Sequence, residues 1–170
     1  MYRLSSLSRI KEVNDIYNFR LDTSNIENDD DKHVTRQKLI KSSWNNITNY
    51  FLEKGERIKI KYWPGDVSNG YSGYGINEIY ESDKNALQEM DTHDLLIVNA
   101  EINIGVKELI QKSMHEDHVY ISPFFHFDII DEKGISIFSS QDNGDNTLIF
   151  LSKKDIASIY DPLIVSLPEI

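Results

Sequence analysis

The hydrophobic period of this chain changes at Gly55, and that change restricts the folds open to it. Over residues 35–54, Leu39, Ile40, Trp44, Ile47, Tyr50 and Phe51 recur at three- and four-residue spacing. That spacing is the apolar stripe of a long helix laid on a core. Thr35 is a candidate cap, although Lys38 stands where a capping box would carry Glu, and Gly55 is a natural stop. Directly afterwards Arg57-Ile-Lys-Ile-Lys-Tyr62 alternates with period two. Ile58, Ile60 and Tyr62 share one face, and Arg57, Lys59 and Lys61 form a basic, solvated row on the other. A long amphipathic helix followed by a half-buried strand calls for helices layered on a sheet.

The remaining patterns extend this α+β reading. Ile10, Val13, Ile16 and Tyr17 have helical spacing, and the acidic stretch 25–31 reads as a link. Residues 63–75 form a long Gly- and Tyr-rich loop, the kind of segment that carries function in a compact domain. A short helix is expected over 81–90, a buried strand over 95–100, and a helix over 104–114 with Val106, Leu109, Ile110 and Met114 inward. Residues 119–131 read as a strand interrupted at Pro123, marking an edge or a bulge, with Phe125, Phe127 and Ile129 on one face. Tight turns at Glu132-Lys-Gly134 and Asp142-Asn-Gly-Asp-Asn146 separate it from strands 135–139 and 147–151, giving a C-terminal meander. Ser152 with Asp155 three residues on begins a last short helix. The expected architecture is one α+β domain over 1–170, with N-terminal helices packed on a mainly antiparallel sheet.

Composition removes several function classes. With 170 residues a single core is attainable without covalent staples. The absence of cysteine excludes disulfide scaffolds, thiolate metal sites and a cysteine nucleophile. The start has the Ser and Arg of a transit peptide, but Glu12 and Asp15 follow and no apolar core of a secretory signal is visible. No apolar run approaches the ~20 residues of a membrane span. The expectation is a cytoplasmic protein with no membrane partner. A formal net charge of −10 disfavours direct nucleic-acid binding, which needs a surplus of Lys and Arg.

Motifs for chemistry are incomplete. His115 and His118 have H-x-x-H spacing, and Glu116 and Asp117 could add oxygen ligands. The zincin pattern fails because Val119 occupies the second histidine position. His126, between Phe125 and Phe127, reads as an exposed strand residue. Gly70-Tyr-Ser-Gly-Tyr74 misses the nucleophile elbow by its last residue, and no P-loop or dinucleotide fingerprint occurs. The acidic turn 142–146 lacks calcium-loop register, so turn chemistry accounts for it. No catalytic set, cofactor or metal is therefore expected.

Charge is the stronger signal. Residues 1–62 carry 12 Lys and Arg against 9 Asp and Glu, a net +3; residues 63–170 carry 6 against 19, a net −13. Many of these acids lie in turns and at element ends. Gathered with the loop aromatics, they would form an anionic face with aromatic anchors suited to a basic protein. The candidate partner-binding residues are Trp63, Asp66, Tyr71, Tyr74, Glu116, Asp117, Asp131, Glu132, Asp142 and Asp145. The plainer reading, an acidic surface that keeps the chain dissolved, stands beside it.

Small size, absence of cysteine, absence of a catalytic signature, the negative balance and an α+β pattern ending in the meander from Phe125 to Leu151 together resemble bacterial immunity proteins. The resemblance is to those of contact-dependent growth-inhibition (polymorphic toxin) systems. It covers the chain as a type and rests on no diagnostic motif. It implies a cytoplasmic, non-enzymatic inhibitor that occludes the active site of one cognate toxin domain, often a basic nuclease. The positive segment 1–62 departs from a uniformly acidic inhibitor. The competing reading is a small metal- or ligand-dependent enzyme using the 63–75 loop with His115 and His118.

Overall fold

A computed structural model describes residues 16–23, 30–63, 65, 73–91, 95–115, 120–156 and 164–166. In chain order these form β1 (Ile16–Leu21), α1 (Asp30–Leu52), β2 (Arg57–Tyr62), α2 (Ile76–Ser82), β3 (Leu87–Met90), β4 (Leu96–Glu101) and α3 (Ile104–His115). They continue as β5 (His126–Ile130), β6 (Ser136–Gln141), a 3-10 turn (Asp142–Gly144), β7 (Asn146–Ser152), α4 (Lys153–Ile156) and β8 (Ile164–Ser166). The strands make one eight-stranded sheet in the order β3-β4-β2-β5-β6-β7-β1-β8. Every pairing is antiparallel. The α+β architecture and the meander β5–β6–β7 agree with the sequence reading.

Alternation assigns the two faces of this sheet. Ile58, Ile60 and Tyr62 are buried, and their cross-strand partners Ala100, Val98 and Leu96 are buried with them. On the other side Ile58 and Ile60 face Ile129 and Phe127. This face receives the helices. The α1 stripe contributes Ile40, Trp44, Ile47 and Phe51, and α3 contributes Val106, Leu109, Ile110 and Met114. Of the expected α1 stripe, Leu39 is exposed instead, lying toward the solvent side of the helix. Arg36 fastens α1 to the end of β1 through the Asp22 carboxylate at 3.0 Å.

Local signals behaved as their chemistry requires. Ser152 Oγ accepts from the Asp155 backbone N–H at 3.3 Å and donates to its carboxylate, a reciprocal cap that starts α4. Asp131 Oδ1 accepts from the Lys133 and Ile135 backbone N–H groups, both at 2.9 Å, and Gly134 takes φ 78° to close the turn. In the second turn Asp142, Asn143 and Gly144 have φ of 51°, 56° and 96°. Gly144 lies against Ile121, where a Cβ would stand 2.8 Å from the isoleucine Cβ, so both conformation and space require glycine.

Five expectations are corrected. Ile16 and Tyr17 belong to β1, not to a helix, because β1 fills the place between β7 and β8; Ile10 and Val13 lie outside the described residues. The expected helix over 81–90 is instead the end of α2, a turn and the edge strand β3. The long helix begins at Asp30, five residues before Thr35, so Thr35 is not its cap. Pro123 precedes β5, which is an interior strand; the irregularity of pairing falls at Ile129/Ile130. Of the three residues assigned to one face, Phe127 and Ile129 point into the core, while Phe125 packs on Trp63 with ring centroids 5.0 Å apart.

Candidate functional site

The face of the sheet turned away from α1 and α3 is crossed by a row of paired residues. It runs Leu87, Asn99, Lys59, Asp128, Ser139, Leu148, Arg20 and Val165, one from each strand. Lys59 and Lys61 are not a solvated row as expected. Both are half-buried, and Lys59 Nζ stands 3.9 Å from the Glu89 carboxylate. Antiparallel pairing with β4 and β5 places them beside acids and amides rather than in open water.

A polar cluster forms at the centre of this face, and the sequence reading did not foresee it. His126 is half-buried rather than exposed, and its Nε2 is 3.2 Å from Asp128 Oδ2. A carboxylate only accepts, so Nε2 carries the proton. Ser139 bonds to the same carboxylate and lies 3.5 Å from the same ring nitrogen. Gln141 Nε2 donates to Ser139 Oγ at 3.0 Å, and Asn146 Nδ2 donates to Gln141 Oε1 at 3.2 Å. Each donor thus feeds the next acceptor until Asp128. A nucleophile relay needs the carboxylate and the hydroxyl on opposite ring nitrogens. Here both meet Nε2, which already bears a proton and cannot take one from Ser139.

The electrostatics of Asp128 follow from this network. Partial burial acts to raise its pKa, but the hydrogen bonds from His126 and Ser139, with the His126 and Lys61 charges, outweigh it and hold the carboxyl below its ordinary value. A carboxyl with a depressed folded pKa contributes stability above its unfolded pKa, and that contribution is lost as pH falls through the folded value. Asp128→Asn should therefore cost about 1–2 kcal/mol at pH 7. The difference should shrink below about pH 4. Urea unfolding of both proteins at pH 7 and pH 3 measures it, and an equal difference at both values would contradict the assignment.

The expected acidic face is only partly assembled. Trp63 is 49 % exposed at the end of β2, against Phe125. Tyr74 lies at the same end of the sheet: it meets Phe124 edge-on at 5.2 Å, and its carbonyl accepts from the Tyr62 hydroxyl at 2.9 Å. Asp142 and Asp145 are exposed nearby, tied in by Asn143 N–H to Phe125 O and Ser122 N–H to Asn143 O. Partial desolvation of its otherwise exposed carboxyl, then the adjacent Asp142 charge, pushes the Asp145 pKa up. Asp131 and Glu132 occupy the opposite end, separated from Asp142 by the length of β6, about 20 Å. Hairpin geometry forbids one patch containing both pairs. His115 ends α3 and is exposed, whereas Asp66, Tyr71, Glu116, Asp117 and His118 lie outside the described residues.

The structure also locates the negative charge more sharply. The described residues of 76–101, which build α2, β3 and β4, contain Glu78, Glu81, Asp83, Glu89, Asp91 and Glu101 against Lys84 alone. This is a net −5 of the chain's −10, on 23 described residues at one edge of the sheet. The Met90 end of β3 lies on the side of the sheet where β2 ends in Trp63, since Met90 pairs with Leu96 and Leu96 with Tyr62. The acidic edge and the aromatic pair are therefore two strands apart. Among the described residues no helix is long and apolar enough to cross a membrane, and no group of three or more His, Cys, Asp or Glu could hold a metal ion.

In comparison with known proteins, the chain matches no family description, no curated protein and no solved structure.

Proposed function

We propose that this protein is a non-enzymatic inhibitor that binds a basic toxin domain in the cytoplasm and neutralises it by covering its active site, in the manner of an immunity protein. The observation that carries the reading is the gathering of net −5 at one sheet edge, two strands from the Trp63–Phe125 pair. Concentrated charge of one sign speeds encounter with a partner of the other, and a half-exposed tryptophan on a firm base supplies the anchor. Trp63, Tyr74, Asp142 and Asp145 remain in this reading as its aromatic and acidic flank. The competing enzyme reading stays with the 63–75 loop, His115 and His118, most of which lie outside the described residues.

The test is co-expression with the polypeptide encoded immediately upstream. Binding and protection of the host are expected, with affinity falling at least tenfold from 50 to 500 mM NaCl, as screening shortens the reach of surface charges. Trp63→Ala is expected to weaken binding by about 30-fold, the scale of an interface anchor. It should leave unfolding in urea within about 1 kcal/mol of the parent, since half of the side chain already faces solvent. Absence of both binding and protection, or binding indifferent to salt, overturns the proposal. Stoichiometric bound metal would favour the enzyme reading.

A further inference from the structure

Among the described strands β3 forms one edge of the sheet, and its four residues Leu87-Gln-Glu-Met90 are all exposed. Leu87 is 65 % and Met90 57 % exposed. Natural sheets blunt such edges with lysine, proline, a bulge or a covering element, because an open edge is a template for another strand. β3 contains neither lysine nor proline, and its pairing with β4 is regular over all four residues.

The direction of its free backbone groups can be derived. Asp91 N–H donates to Leu95 O at 2.9 Å, in register with the β3–β4 pairs, and Ile102 N–H donates to Glu56 O at 2.8 Å, in register with the β2–β4 pairs. Hydrogen-bonded positions alternate along an antiparallel ladder. Odd-numbered residues of β4 therefore bond to β3 and even-numbered ones to β2. On β3, Leu87 and Glu89 bond inward to β4. The N–H and C=O groups of Gln88 and Met90 point outward from the sheet.

We propose that β3 is a strand-addition site for an extended, basic segment of the partner protein. This deepens the reading above and names how the partner is held. On the face turned away from α1 and α3 the incoming strand meets Leu87 and Glu89, so it fits an apolar residue beside a Lys or Arg. On the helix side it meets Gln88, held by the Tyr80 hydroxyl at 2.9 Å, and Met90. Backbone bonds to Gln88 and Met90 supply register, and the surrounding net −5 supplies preference for a cation. A second copy of this chain fits poorly. In an antiparallel pair, same-face residues oppose one another, so Glu89 would meet Leu87, Glu89 or Asp91 of the other copy, and none is a cation.

Amide hydrogen exchange on the full chain tests this with two probes: the upstream-encoded polypeptide, and a 12-residue peptide of alternating Lys and Val. Protection of the Gln88 and Met90 amides at least tenfold by both is expected. Gln88→Pro removes an outward N–H and leaves the β4 ladder intact. It should weaken binding of both probes at least tenfold. Glu89→Gln should weaken binding about threefold or more and flatten its salt dependence. If the polypeptide binds but leaves these amides and the Gln88→Pro affinity unchanged, strand addition is overturned and the toxin reading survives. If the peptide protects them and the polypeptide does not bind, strand addition stands and the toxin reading falls. If neither probe protects them, strand addition is overturned, and the toxin reading is then judged by polypeptide binding alone. Protection that grows with the chain's own concentration would overturn the assignment to a basic partner in favour of self-pairing.

Discussion

Trp44→Ala is expected to cost about 3–5 kcal/mol of stability, the range for emptying a large aromatic site in a packed core. The indole is fully buried on α1 and stands edge-on to Phe127 of β5 with centroids 6.0 Å apart. Phe127 in turn meets Phe138 at 5.6 Å, and Phe138 meets Phe51 of the same helix at 5.5 Å. Trp44 thus closes a ring of aromatics that clamps α1 to the middle of the sheet. Its Nε1–H donates to Ser140 Oγ at 3.2 Å, so the one polar atom of the side chain is satisfied inside the core. Ser140→Ala would strand that buried donor and should cost about 1–3 kcal/mol. Trp44→Phe combined with Ser140→Ala should then cost less than the sum of the two single changes, because donor and acceptor leave together. Urea unfolding followed by circular dichroism measures the parent and all four variants. A loss below about 1 kcal/mol for Trp44→Ala would mean that α1 is not docked across β5 and β6, since a fully buried tryptophan cannot be removed so cheaply.

Signals that act within a few residues were legible in the sequence. The alternation of Arg57–Tyr62, the cap made by Ser152 and Asp155, and the Asp131 turn each depend on neighbours in the chain, and each stands as expected. Errors arose where distant pairing outweighs local spacing. Ile16 and Tyr17 have helical spacing with their neighbours, but β1 is fixed by its register with β7, Tyr17 against Leu151 and Phe19 against Ile149. The His126 cluster was half legible. His126 and Asp128 alternate onto one strand face, yet Ser139 and Lys61 reach them only once β5 is placed between β2 and β6. The candidate acidic residues come together only in part, for a reason already present in the sequence. A six-residue strand between two tight turns carries Asp131 and Asp142 to opposite ends of the sheet. The net charge could be counted beforehand, but its gathering at the β3 edge required knowing that 83–90 is a turn and a strand. The clue was Asp83, whose side chain competes with a helix by bonding the backbone two residues on.

Replacing that residue should test fold and function together. Asp83 is 6 % exposed, and its two carboxylate oxygens accept from separate backbone donors, Asn85 N–H at 2.9 Å and Glu101 N–H at 2.8 Å. The first bond shapes the turn that enters β3, and the second ties that turn to the end of β4. Asp83→Ala is expected to cost about 2–3 kcal/mol, because two donors in a partly buried turn lose their acceptor. Asp83→Asn keeps one oxygen and should cost about half as much. The loss should be concentrated at the edge, so amide exchange over 85–90 should accelerate more than exchange in β5 or β6. Binding to a basic partner should also fall, through loosening of β3 as well as loss of charge. Glu81→Gln separates the two effects, since Glu81 is an exposed acid of the same acidic unit without these backbone bonds. If Asp83→Ala weakens binding well beyond Glu81→Gln, the order of the edge strand matters to recognition. Equal weakening would leave charge alone as the cause and would remove the support that strand addition draws from the Asp83 turn.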